Sequence, residues 1–197
     1  MESRFNKFQI DLMAYPSSRW HKFMFVAPLY LWRLGLGPIL GRVLLILSHT
    51  GRTSGRIYHT MIEYHKLNGT IYAPSAFGSQ ADWYKNTIAD PRVTIQTANK
   101  SQGMVATRVF DEDEILDVFR LFYRRDPPIT TLYLKSLDIR VDEEDILRNK
   151  EKIHWIRFDP TDESTPAPLE TDLSWIWLPI ILVMFAFFFL RRLRKNE

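Results

Sequence analysis

The rhythm of apolar and polar positions changes several times along the chain, and each change marks an element. From Trp20 to Leu40 the chain is rich in Phe, Leu and Trp, and Phe25, Leu29, Trp32 and Leu36 recur at helical spacing. Pro28 predicts a start or kink inside this helix, and Gly35, Gly37 and Pro38 end it. The helix is amphipathic and suited to lie on a domain or a membrane surface. Arg33 and the Gly/Pro break leave no clean run of about 20 apolar residues for a full span. Arg42–Ser48 is a short apolar run and reads as a buried strand. From Arg56 to Leu67 the period shortens towards two. Ile57, His59, Met61 and Glu63 fall on one side, and Tyr58, Thr60, Ile62 and Tyr64 on the other. Asn68-Gly69 fits a type I′ hairpin turn, and Thr70–Pro74 is the returning strand.

Further on, Ser75–Asp82 is a loop of small residues, and Trp83–Ala89 a short helix with Asp82 as its N-cap. Val93–Thr97 and Met104–Phe110 read as strands. Asp111–Arg124 is a helix with acids in its first turn, as the helix dipole favours. Pro127-Pro128 ends it. Short helices are predicted near Thr131–Leu137 and Asp142–Lys150, and a last strand over Ile153–Phe158. The sum is an α+β chain: a small split β-barrel of about six mainly antiparallel strands with peripheral helices. Residues 1–41 form an N-terminal segment, and 42–160 the barrel domain.

Residues 161–172 shift to Pro, Thr, Ser and acids, as a linker does. Residues 173–190 are almost wholly apolar and predict a C-terminal transmembrane helix, with Trp175 and Trp177 at one interface. The basic tail 191–197 stands at the other interface. These features place the protein at the cell membrane through a single-pass anchor, in contact with membrane lipid. The basic tail favours the cytoplasm, whereas no export signal precedes the barrel, and the barrel is expected on the cytoplasmic face.

Charge refines the picture. Four basic residues and one acidic residue in 191–197 account for the whole net charge of +3. Residues 1–110 carry 13 Lys/Arg against 5 Asp/Glu, and residues 111–190 carry 9 against 17. No Lys/Arg stripe interleaves with aromatics, so nucleic acid is not the expected partner. A basic front half suits a small polyanion. The chain has no cysteine, which excludes disulfides, thiolate metal sites and cysteine nucleophiles. The histidine spacing makes no metal site, although His49, His59 and His65 are possible acids.

The candidate chemistry starts at His49-Thr50-Gly51-Arg52-Thr53-Ser54-Gly55-Arg56. Two glycines free the backbone to turn tightly. Converging amides, two hydroxyls and two guanidinium groups are what a phosphate needs. The Gly-Lys-Ser/Thr of a nucleoside-triphosphate loop is missing, and a strand follows rather than a helix. The second element is Pro74-Ser75-Ala76-Phe77-Gly78-Ser79-Gln80-Ala81-Asp82-Trp83-Tyr84-Lys85-Asn86. Its small residues admit a flat ligand, Phe77 and Trp83 offer stacking surface, and Lys85 and Asn86 add polar anchors.

Together these motifs, with Asp-Pro-Arg-Val at 90–93 and Leu34-Gly35-Leu36-Gly37-Pro38, resemble the deazaflavin-dependent nitroreductase family. This family belongs to the flavin/deazaflavin oxidoreductase superfamily. The resemblance runs from about Trp20 to Pro160. It implies a split barrel that binds coenzyme F-420, an 8-hydroxy-5-deazaflavin with a phosphate and an oligoglutamate tail. Such enzymes pass a hydride from the reduced coenzyme to a quinone or nitroaromatic acceptor. Carried over, Arg52, Thr53, Ser54, Gly55 and Arg56 would hold the phosphate and tail. Ser75, Ala76 and Phe77 would contact the ring or ribityl chain. Trp83, Lys85 and Asn86 would pack and anchor the coenzyme. Tyr133 is the candidate catalytic residue: either it or a bound water would supply the proton, and the sequence does not decide between them. Thr53 stands where many members carry a basic residue, Tyr58 where Arg is common and Met61 where Pro is common. A membrane quinone such as menaquinone is the expected acceptor. The alternatives are an FMN-dependent reductase on the same fold and a non-catalytic flavin- or deazaflavin-binding membrane protein.

Overall fold

The computed structural model describes residues 26–179 and 181–185. Seven strands make one curled antiparallel sheet: β1 (Leu44–Thr50), β2 (Ile57–Glu63), β3 (His65–Leu67), β4 (Thr70–Pro74), β5 (Arg92–Gln96), β6 (Ser101–Arg108) and β7 (Trp155–Pro160). The order across the sheet is β2-β1-β5-β6-β7-β4-β3. The strand count corrects the expected six. The run predicted as one strand over Arg56–Leu67 divides at Tyr64. Its first part pairs with β1, with Glu63 opposite Leu44, and its second pairs with β4, with His65 opposite Tyr72. Consecutive residues therefore stand at opposite margins of the sheet, which requires the sheet to curl into a half-barrel. Asn68 (φ 51°) and Gly69 (φ 89°) make the left-handed hairpin turn between β3 and β4.

Alternation along the strands divides the core in two. Leu45 and Leu47 of β1, Ile71 and Ala73 of β4, and Ile156 and Phe158 of β7 point inside the curl with Tyr64 and Trp83. Tyr72 and Trp155 point outwards, onto a second cluster with Ile115, Val118, Phe119, Phe122, Tyr133 and Leu134. These come largely from the helices α2 (Glu112–Arg125) and α3 (Pro127–Ser136). Asp111 caps α2 by accepting from the Glu114 N–H, and Asp126 caps α3 by accepting from the Ile129 N–H. Pro127-Pro128 therefore opens a helix rather than merely closing one. Two further helices are α1 (Asp82–Ala89) and α4 (Glu143–Arg148). The N-cap of α1 is Ala81, not the expected Asp82. The carboxylate of Asp82 is turned to Arg52 instead.

The leading helix over 26–40 is kinked at Gly35, which has φ +90°. Trp32 is buried, and its indole lies against Gly37. Expectations for residues 1–25 lie outside the described residues. Residues 161–173 run along the sheet. Thr94 Oγ1 donates to Pro166 O, Gln96 Nε2 donates to Leu169 O, and Leu169 N–H returns a bond to Gln96 Oε1. Arg33 then grips Asp172 through two hydrogen bonds of 2.8 and 2.6 Å.

The predicted transmembrane helix over 173–190 is overturned: among the described residues no helix is long and apolar enough to cross a membrane. The apolar composition that suggested a span begins as a 3-10 turn, Ser174–Ile176, docked on the leading helix. Leu173 N–H donates to Arg33 O, and the Trp177 indole N–H donates to Leu34 O at 2.6 Å. Residues 186–190 and the basic tail 191–197 lie outside the described residues.

Candidate functional site

The turn that follows β1 is built by its own backbone. Gly51 N–H donates to Arg56 O and Gly55 N–H donates to Gly51 O, both at 2.8 Å. Gly51 lies under the Tyr58 ring, where an added Cβ would come within 2.5 Å of that ring. The Tyr58 ring also stacks on His49 at 6.1 Å, and its hydroxyl meets Ser54 Oγ at 3.2 Å. Gly55 holds φ +65° with open space where a Cβ would stand. Gly55→Ala should therefore cost about 1 kcal/mol through backbone strain alone, read by urea unfolding. A cost near zero would show that the turn relaxes freely.

Arg52 is the only cation of this turn with a fixed position among the described residues. Its Nη1 donates to Asn86 Oδ1 at 2.9 Å and to Asp82 Oδ1 at 3.3 Å, and its backbone N–H also reaches Asn86 Oδ1. Asn86 is buried on α1, and its Nδ2 donates to His49 Nδ1 at 3.1 Å. His49 Nδ1 must then be an acceptor, so His49 carries its proton on Nε2 and donates it to Thr60 Oγ1 at 3.1 Å. Burial, with His59 nearby, pulls the His49 pKa down to about 4, which keeps the ring neutral near pH 7. A neutral chain of hydrogen bonds from Thr60 through His49 and Asn86 thus fixes one guanidinium at the turn.

Around this fixed group the turn is open. Thr53, Ser54, Gly55 and Arg56 are exposed, and the Thr53 and Ser54 amides bond no described residue. The guanidinium of Arg56 and the ammonium of Lys85, exposed on α1, make no ion pair with a described residue. Free amides beside one fixed and two free cations suit an anion of more than one charge.

The second part is a cleft of about 350 Å³ lined almost wholly by carbon. It opens where the half-barrel splits. Thr60–Glu63 of β2 form one wall, and Pro74, Ala76 and Phe77 a second. Trp83, Phe122, Ile129, Thr130, Tyr133 and Trp155 close it. Pro28 of the leading helix also reaches it. Turn and cleft share α1: Trp83 lines the cleft, and Asn86, one helical turn later, holds Arg52.

The structure thus brings Arg52, Asn86, Trp83, Phe77, Ala76 and Tyr133 to the turn or the cleft. It gives Ser75 a different place. Ser75 is fully buried, and its hydroxyl donates to Gly78 O at 2.7 Å, so it shapes the loop from within. Tyr133 is buried, stacked on Trp155, and its hydroxyl accepts from the His154 N–H at 3.2 Å. Burial pushes its phenol up to about 12. Sequence reasoning named His49 as a possible acid but missed the framework that it makes with Thr60, Tyr58 and Asn86. The only signal was two polar residues, Ser48 and His49, ending an apolar strand on buried positions.

The sequence profile of the F420H(2)-dependent quinone reductases matches residues 35–136, just over half of the chain. Among solved structures the chain is similar to an F420-H2 dependent reductase, FDR-A, at 20% identity and a TM-score of 0.47, covering 60% of this chain and 95% of that one. It is similar to a putative pyridoxamine 5'-phosphate oxidase from Listeria innocua at 11% identity and a TM-score of 0.43, covering 68% and 91%. HutZ, a heme storage protein from Vibrio cholerae, aligns at 14% identity and a TM-score of 0.44, covering 75% and 99%. No curated protein sequence matches the chain.

Proposed function

Because the chain belongs to the F420H(2)-dependent quinone reductase family, and is therefore an oxidoreductase that uses coenzyme F-420, we propose a division of labour: the turn after β1 holds the coenzyme's phosphate and acidic tail, and the apolar cleft admits a quinone-type acceptor. The family sets aside the FMN-dependent and the non-catalytic readings. The residues fit the coenzyme's chemistry. Thr53 and Ser54 offer amides that bond no described residue, Arg52 a fixed guanidinium, and Arg56 and Lys85 cations that pair with no described residue, for a polyacidic tail. Trp83 and Phe77 offer flat apolar surface for a ring, and a cleft of about 350 Å³ can hold one small aromatic acceptor.

When bound, the reduced coenzyme supplies the hydride. The chain supplies position and dryness. Arg52 is held before binding, so little ordering is lost when it meets an anion. Trp83, Phe122, Ile129 and Trp155 keep water from the acceptor's reacting face.

The observation that carries this reading is the His49–Asn86–Arg52 chain, one helical turn from the cleft wall at Trp83. Its test is a titration of the purified protein with coenzyme F-420, followed by deazaflavin fluorescence. Arg52→Ala should raise Kd roughly ten- to a hundredfold, the loss of a charge-assisted contact worth about 1.5–3 kcal/mol. An unchanged Kd would refute the assignment of the turn. Reduced coenzyme with menadione should then be oxidised by the wild type.

A further inference from the structure

The cleft contains one pair of titratable side chains that neither the anion grip nor the fold employs: Glu63 and His65. We propose that His65, oriented by Glu63, is the acid that protonates the acceptor as it is reduced. The inference rests on reading the cleft as the acceptor's site.

Its basis is the point where the strand changes margins. Glu63 ends β2, His65 begins β3, and Tyr64 stands between them. Tyr64 turns into the inner core, and its hydroxyl donates to Gly41 O at 2.8 Å. Alternation then places both neighbours on the opposite face, and both line the cleft. His65 Nε2 lies 3.0 Å from Glu63 Oε1, with side-chain exposures of 17% and 32%. The imidazole and Phe122 rings meet in a T-shaped contact, their centroids 4.7 Å apart, which fixes the imidazole plane. His65 Nδ1 makes no hydrogen bond with a described residue. A carboxylate on one ring nitrogen and an open second nitrogen is the arrangement of an oriented general acid.

The other titratable groups that face this space are already engaged. Asp126, from the end of α2, caps α3. Tyr72, opposite His65 on β4, donates to Glu114 Oε1 at 2.8 Å, and Glu114 is paired with Arg157. Tyr133, on α3, accepts from the His154 N–H, and a phenol pushed up to about 12 is a weaker acid than an imidazolium.

The step balances. Reduction of a quinone to a hydroquinone consumes one hydride and one proton. The hydride, with both electrons, comes from the reduced coenzyme and leaves a hydroquinone monoanion. The new O–H bond forms as the Nδ1–H bond of doubly protonated His65 breaks. Glu63 keeps the Nε2 proton throughout, and His65 regains its own from solvent at the cleft mouth.

Binding, kinetic and NMR measurements test this. His65→Gln should bind coenzyme F-420 within about twofold of wild type, yet lose about a hundredfold in kcat with menadione. The loss should shrink with a chlorinated benzoquinone, whose hydroquinone is more acidic and needs less help. In the coenzyme-free wild type, the His65 ring resonances should move in NMR spectra when menadione is added. Unchanged kcat in His65→Gln, or no movement of these resonances, overturns the proposal. If His65→Gln does not fold, Glu63→Gln decides: a tenfold lower kcat supports the pair, and wild-type kcat refutes it. Failure of the wild type to oxidise reduced coenzyme with any quinone would instead sink the function proposed for the cleft, which separates the two.

Discussion

Trp155→Ala is expected to lower the unfolding free energy by about 3–5 kcal/mol, as read by urea denaturation. Trp155 is 1% exposed and among the largest fully buried side chains of the domain. It stacks on Phe122 at 5.8 Å and on Tyr133 at 6.4 Å, and its backbone carbonyl accepts from the Val109 N–H. It thus ties together the first residue of β7, both helices α2 and α3, and the floor of the cleft. Truncation would leave a void that aromatic neighbours, held by their own helices, cannot fill. Trp155→Phe should recover most of the loss. A cost below about 1 kcal/mol would mean that the site collapses, contrary to this packing.

The second large effect is on acid stability. The His49 pKa in the folded chain is about 4, against 6.5 for an unhindered histidine. Between these values the unfolded chain binds the extra proton and the folded chain does not. Stability is therefore full above pH 6.5, falls as the pH drops towards 4, and levels off below. The gap corresponds to a loss on the order of 3 kcal/mol for this residue. Burial lowers His59 and His154 in the same direction. His49→Gln should flatten the part due to His49, which a series of urea melts from pH 7 to pH 4 would reveal. An equally steep series in that variant would contradict the burial argument. The same proton would disturb the anion grip proposed for the turn after β1. Once Nδ1 is protonated it faces the donating Nδ2 of Asn86, and a rotated amide would present donors to Arg52. Affinity for the coenzyme should therefore fall together with stability.

Much of the sheet is legible from local pattern. β4 is readable residue for residue because Asn68-Gly69 opens it and Pro74 closes it. The turn after β1, proposed as the anion site, is legible because its glycines, hydroxyls and guanidinium groups are contiguous. Other features depend on partners far away in the chain. The division at Tyr64 leaves no trace in the sequence, since the in–out alternation continues through it while the hydrogen-bonding partner changes from β1 to β4. Asp82 has the chemistry and position of a helix cap, but Arg52, thirty residues earlier, competes for its carboxylate. The cleft draws its walls from Pro28 to Trp155, so no window of sequence contains it. The C-terminal span was inferred from composition, which cannot register that Trp177 and Leu173 bond to the leading helix.

That docked segment also dictates an order of assembly. Residues 165–172 are held by Thr94 and Gln96 on β5 and by Arg33, all more than seventy positions earlier in the chain. Its binding surface does not exist until β5 is seated between β1 and β6. The strap therefore cannot dock before β5 is paired, and it should leave before β1 and β5 come apart. Amide exchange in residues 165–173 should be the fastest to lose protection under mild denaturant, while β1 and β5 still hold theirs.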